Sequence, residues 1–242
     1  MLRIAFIAAF VGVAAAQDHP HLANAWTANS VGDGEPGTTG LESYIYEGCG
    51  HAPNPPTSDT CMHGHVWNYG ADVCIKYEVD AGFHSAYSGT FYVNCDSVDC
   101  CKDGDADIPD LKMWDIGQSK LSKISHLGTN DITDLDGPVA GADTWNEIFG
   151  IPFTPVKVNY TYYITQSGND TISHRIDYSE PGDTHAQNGS ILYGNFTVIH
   201  ADELDAFRSV FHAPAACLKN NVLTCNDAQK KAWNRKYFSG RH

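Results

Sequence analysis

The sequence predicts a mainly β (α+β) protein, an antiparallel curved sheet or half-barrel stapled by disulfides and followed by a C-terminal helix. Three observations carry that expectation. Several short stretches alternate polar and apolar residues with period two, the pattern of strands with one covered face. Eight cysteines stand among turn-rich loops, an even number suited to a disulfide framework. Helical spacing of apolar residues occurs once, near the end of the chain. The chain has 242 residues, 42% hydrophobic and only 18% charged, enough apolar material for a packed core in one domain or two small ones. Its 15 basic against 29 acidic residues give a formal charge of -14, which argues against nucleic acid or an anionic membrane surface as partner. A cationic or neutral partner fits better.

The N-terminus predicts export. Arg3 precedes an apolar run from Ile4 to Val13, and Ala14-Ala15-Ala16 supplies the small residues of a cleavage site, so residues 1–16 read as a signal peptide cut before Gln17. No later stretch reaches the roughly 20 apolar residues of a transmembrane helix, and the product is expected to be secreted. Four Asn-x-Ser/Thr acceptors, at Asn159, Asn169, Asn188 and Asn195, fall close together and predict a glycosylated face.

Residues 17–41, rich in Gly, Asp, Pro and Thr, read as a flexible leader. Residues 42–242 read as a single β-rich domain, with a sub-boundary to look for in an acidic, turn-dominated connector over 102–142. The first part holds six of the cysteines, Cys49, Cys61, Cys74, Cys95, Cys100 and Cys101, and strands around Ile75 to Asp80 and Thr90 to Cys95. Adjacent Cys100 and Cys101 are poorly placed to bridge each other and are expected to knot this half. Cys217 and Cys225, eight residues apart, suggest a short local loop.

Beyond the connector, Val156 to Ile164 alternates, Ser167-Gly-Asn-Asp170 turns the chain, and Thr171 to Tyr178 returns as a hairpin, with Ser190 to His200 as a third strand. If Asn159 and Asn195 face solvent, strict alternation sends Val158, Tyr160, Tyr162, Ile172, His174, Ile176, Leu192, Phe196, Val198 and His200 to the other face. An aromatic and aliphatic surface with two histidines would suit a core, or a pocket for an apolar ligand with a polar head. At the end of the chain, Asn226 reads as an N-cap, with Ala228, Ala232, Trp233 and Tyr237 forming the apolar stripe of a helix.

Signals for chemistry are sparse. His63 and His65, at i and i+2, would share a strand face as a metal pair does, with His51, His84, His174 or His200 as candidate further ligands. Gln17-Asp18-His19 would form a terminal copper site only if the terminal glutamine did not cyclise. Asp103, Asp105 and Asp107 have the opening spacing of a calcium loop, but Ile108 and Trp114 replace its glycine and its bidentate glutamate. No nucleophile elbow, zinc-protease or phosphate-loop motif is present. No cofactor is required by this reading; calcium or a transition metal is the exception it leaves open.

Trp145, Asn159-Tyr-Thr-Tyr-Tyr163, Ser173-His-Arg-Ile176, Tyr193-Gly-Asn-Phe196 and Phe207-Arg-Ser-Val-Phe211-His-Ala-Pro214-Ala-Ala-Cys217 together resemble the closing region of ependymin-related secreted glycoproteins and of LolA-like domains. The resemblance spans about residues 140 to 218 and implies a curved antiparallel sheet with an apolar pocket, glycosylation, calcium sensitivity and no catalysis. The expected function is a secreted, disulfide-bonded glycoprotein that binds a hydrophobic ligand or an extracellular matrix or cell-surface partner. The alternatives are a metal-dependent extracellular enzyme built on His63 and His65, and a structural surface protein.

Overall fold

Two meanders meet along one strand pair. The computed structural model describes residues 19–32, 39–47, 62–68, 74–79, 87–93, 100–108, 116–117, 122–150, 157–179, 188–212, 215–219 and 224–226. The first meander runs β1 (Ala25–Gly32), β2 (Gly40–Glu47), β3 (Met62–Asn68), β4 (Cys74–Val79), β5 (Tyr87–Val93) and β6 (Cys101–Ile108). The second runs β7 (Lys123–Thr133), β8 (Pro138–Gly150), β9 (Lys157–Ser167), β10 (Asp170–Ser179) and β11 (Asn188–Val198). Antiparallel pairing of β1 with β11 joins them into one 11-stranded sheet, in the order β6-β5-β4-β3-β2-β1-β11-β10-β9-β8-β7. The sheet is open, with β6 and β7 at its ends. Among the described residues, three short helical pieces follow β11: α1 (Leu204–Arg208), a 3-10 turn (Ser209–Phe211) and α2 (Ala215–Lys219). The helix expected around Ala228 to Tyr237 lies outside the described residues. No helix among the described residues is long and apolar enough to cross a membrane.

Two expected segments differ from the sequence reading. Within the supposed leader, Ala25–Gly32 is the strand on which the meanders join, and its Trp26 is 1% exposed. Low periodicity hid it because both faces are covered: Ala25 enters one apolar cluster and Trp26 and Ala28 the other. The supposed connector contains β6 from residue 102 on, all of β7 and the first five residues of β8. As an end strand β7 is largely exposed and is interrupted by bulges, so it shows no clean alternation. Asp103, Asp105 and Asp107 lie along β6, in extended backbone rather than a calcium-binding turn.

Each face of the sheet has its own core. On one face Trp26, Ala28, Tyr44, Tyr46, Trp145, Tyr162, Ile164, Ile176 and Tyr193 form an aromatic layer, covered by Leu22 and Ile116. On the other, Ala25, Ile45 and Val66 receive Phe211 and Cys217 from the helical segment. The disulfides explain why that segment stays there. Cys100 bridges Cys217 and Cys101 bridges Cys225, over 117 and 124 residues of chain. The adjacent cysteines thus tie the start of β6 to the C-terminal segment instead of knotting the N-terminal half, and Cys217 and Cys225 do not close a local loop. Cys49, Cys61 and Cys95 and the Cys74 side chain lie outside the described residues.

The β7–β8 hairpin turn covers part of the second face. Asp134 organises it, its Oδ1 accepting the N–H groups of Asp136 (2.8 Å) and Gly137 (3.0 Å). Leu135 N–H donates to the Tyr193 carbonyl (3.0 Å), and Asp136 Oδ2 accepts the Asn195 N–H (2.6 Å). Gly194 permits this approach, since a Cβ there would come 2.7 Å from that of Leu135.

Candidate aromatic-face site

The aromatic layer is built by simple alternation along β1, β2 and β3. Trp26 pairs with Tyr44, and Tyr44 with His65, so three rings stand in one row across three strands. Trp26 stacks on Tyr44 at 5.7 Å and on Phe196 at 5.0 Å, and meets Tyr193 edge-on at 5.5 Å. Such offset and edge-on contacts each add about 0.5–1.5 kcal/mol beyond area burial. Glu42, opposite Ala28 on the same face, is fully buried. The His65 imidazole donates from Nε2 to Glu42 Oε1 at 2.6 Å, a charge-assisted bond sealed among aromatic rings.

A second carboxylate lies on this face farther along the sheet. Glu147, also fully buried, accepts the Gly117 N–H (3.1 Å) and the Tyr162 hydroxyl (3.3 Å) through Oε2. These bonds hold the 116–117 segment against the sheet, with Ile116 in the apolar layer. Neither carboxylate was singled out from the sequence. Glu42 does sit one alternation step from Tyr44, in a strand whose Tyr44 and Tyr46 share its parity, and that was the available signal.

Trp26 Nε1, Ser30 Oγ, Glu42 Oε2 and Ser173 Oγ are buried with no hydrogen-bond partner among the described residues. Native interiors pair more than about 90% of such groups, so four on one apolar face are a demand for complementary atoms.

The expected pocket residues divide between faces. Val158, Tyr160, Tyr162 and Ile176 have the parity of the aromatic layer, and Phe196 packs against it, with Val198 paired to Trp26. Ile172, His174, Leu192 and His200 do not belong there. In β10 the register shifts between Ser173 and Arg175, and the extra residue reverses the alternation, leaving Thr171 and Ser173 buried and Ile172 opposite Thr165 on the second face. In β11 a second bulge, with Asn195 at φ 48°, does the same, so that Tyr193 and the partly buried Ile191 join the aromatic layer while Leu192 turns away.

His174 is a fastener on the second face. Its Nδ1 donates to Asp134 Oδ2 (2.6 Å) and its Nε2 accepts from Thr165 Oγ1 (2.8 Å), which pins the β7–β8 turn to the sheet. His200 lies beyond the end of β11, 60% exposed and 3.5 Å from the Asp170 carboxylate. His65 is occupied by Glu42, and the His63 side chain and His84 lie outside the described residues. Among the described residues no three His, Cys, Asp or Glu side chains group as metal ligands would. Gln17 and Asp18 also lie outside the described residues.

The acceptor asparagines differ in surroundings. Asn169, in the β9–β10 turn, Asn188 and Asn195 are exposed. Asn159 is half-buried on the second face, where its Oδ1 accepts from Asn146 Nδ2. On that face too, burial and the neighbouring Asp177 raise the Tyr163 hydroxyl above its ordinary value of 10.0, against a smaller lowering effect of Arg175. No family model matches the chain, and no curated protein matches it in sequence.

Proposed function

We propose that this chain is a secreted, N-glycosylated binding protein of the ependymin-related or LolA-like kind, which holds an apolar molecule with a polar head against the aromatic face of its sheet. The observation that carries the reading is the coincidence, on one face, of a continuous aromatic and aliphatic layer with buried Trp26, Ser30, Glu42 and Ser173 atoms that lack partners among the described residues. An apolar chain would complement the layer, and a polar head the open atoms, in the usual division of labour of a small-molecule site. Leu22 and Ile116 close over the layer, so the ligand would be enclosed rather than held at the surface.

The disulfides suit an oxidising compartment, and exposed Asn169, Asn188 and Asn195 are suited to carry glycans. The second face is taken up by Phe211, Cys217 and the β7–β8 turn, which leaves the aromatic face as the better candidate.

Energy transfer tests the reading. A fatty-chain fluorophore that accepts tryptophan emission is expected to bind saturably and to lose most of its transfer in Trp26→Phe, with folding of the variant checked by circular dichroism. Binding without any contribution from Trp26, or no saturable binding, would place the ligand elsewhere or remove it.

A further inference from the structure

Resting on the aromatic-face reading, we infer that the ligand's head is an amine: an amphiphile whose ammonium group donates to Glu42 Oε2. The Glu42 side chain is fully buried, Oε1 is taken by His65 at 2.6 Å, and Oε2 has no partner among the described residues. An ionised carboxylate only accepts hydrogen bonds, so the missing atom is a donor. A fatty-acid head brings a second negative charge to a buried carboxylate and is disfavoured by like-charge repulsion in a medium that screens poorly.

Ala28, directly across from Glu42 on β1, brings only a methyl group to the neighbourhood of the carboxylate. The adjoining Trp26 Nε1 is a donor without a partner among the described residues, and a hydroxyl next to the amine would satisfy it. The formal charge of -14 draws cationic molecules toward the protein before they bind.

The test compares three probes with one chain length, dodecylamine, dodecanol and dodecanoate, by calorimetry on the secreted, disulfide-intact protein. The amine is expected to bind at least about ten-fold more tightly than the dodecanoate, the factor a charge-assisted hydrogen bond supplies. Glu42→Gln, its folding checked by circular dichroism, is expected to erase that preference. Equal affinities on the wild-type protein would overturn the inference and leave the apolar-ligand reading standing, as would a preference that survives Glu42→Gln. Binding of none of the three would remove both. A crystal structure with only an ordered water on Oε2 in the presence of dodecylamine would also overturn it.

Discussion

The ring of Phe211 rests directly on the backbone of Gly64: a Cβ at that position would come 2.3 Å from Cδ1 and 2.7 Å from Cγ. The glycine between His63 and His65 therefore serves the face opposite the His65 imidazole. It is the seat of the aromatic side chain that anchors the helical segment, and Phe211 is held there together with Cys217, which is tied to Cys100.

Gly64→Ala is accordingly expected to destabilise the protein by about 1–3 kcal/mol, the usual range for overpacking a well-filled core. Urea unfolding followed by circular dichroism would check it. A midpoint equal to that of the parent would mean that the ring retreats freely.

The two neighbouring disulfides should be strongly non-additive. With Cys100–Cys217 intact, Cys101–Cys225 closes only the short circuit between adjacent bridges, which on chain-entropy grounds corresponds to about 2–3 kcal/mol; with neither, a loop of more than a hundred residues opens and about 4–5 kcal/mol more is lost. Thermal unfolding of Cys101→Ser/Cys225→Ser, compared with the quadruple serine variant, reads this directly. A loss in the quadruple variant equal to the sum of the two single-bridge losses would contradict it.

The hidden parts of the fold were hidden for identifiable reasons. The β9–β10 hairpin was legible because Val158, Tyr160, Tyr162 and Ile164 alternate without interruption and Gly168, at φ 65°, marks the turn. Parity then failed at His174 and Asn195, since one inserted residue reverses every later side chain and no residue type announces a bulge with certainty. The disulfide partners were not legible because neighbouring cysteines have no preferred direction in sequence. Trp26 was passed over because it follows a glycine-free but polar stretch and precedes turn residues, although it is the centre of the larger core. The Glu42–His65 pair joins residues 23 apart in the chain on neighbouring strands, and only strand register brings them together.

That pair gives a third expectation. His65→Leu leaves a buried carboxylate without its partner and is expected to cost about 3–5 kcal/mol, whereas the double variant Glu42→Leu/His65→Leu is expected to recover much of the loss. A double-mutant cycle by chemical denaturation checks the coupling. Additive single losses would show that the two side chains do not support each other.

Asp134→Ala removes the acceptor of two turn N–H groups and of the His174 imidazole. The expected loss is about 2–4 kcal/mol, with amide exchange rising first at residues 134–137 and near Gly194 and Asn195, where the turn touches β11. Uniform protection across that turn would contradict its role as a clasp.

Tyr163 supplies a pH dependence. Its folded-state pKa is raised, so the unfolded chain releases this proton first and stability falls as pH rises through and above 10.0, while below that range the group contributes no slope. Tyr163→Phe should flatten the decline. Carbon-13 NMR of labelled tyrosine rings would show the Tyr163 resonance titrating above 10.0; titration at or below that value would contradict the assignment.

The central claim, that the aromatic face around Trp26 and Glu42 holds an apolar molecule, is tested most directly by native mass spectrometry of the secreted, deglycosylated protein against its denatured mass. The expected result is an excess of a few hundred daltons that leaves on denaturation. Identical native and denatured masses, in protein purified without detergent or organic solvent and then offered dodecylamine and dodecanol, would contradict it.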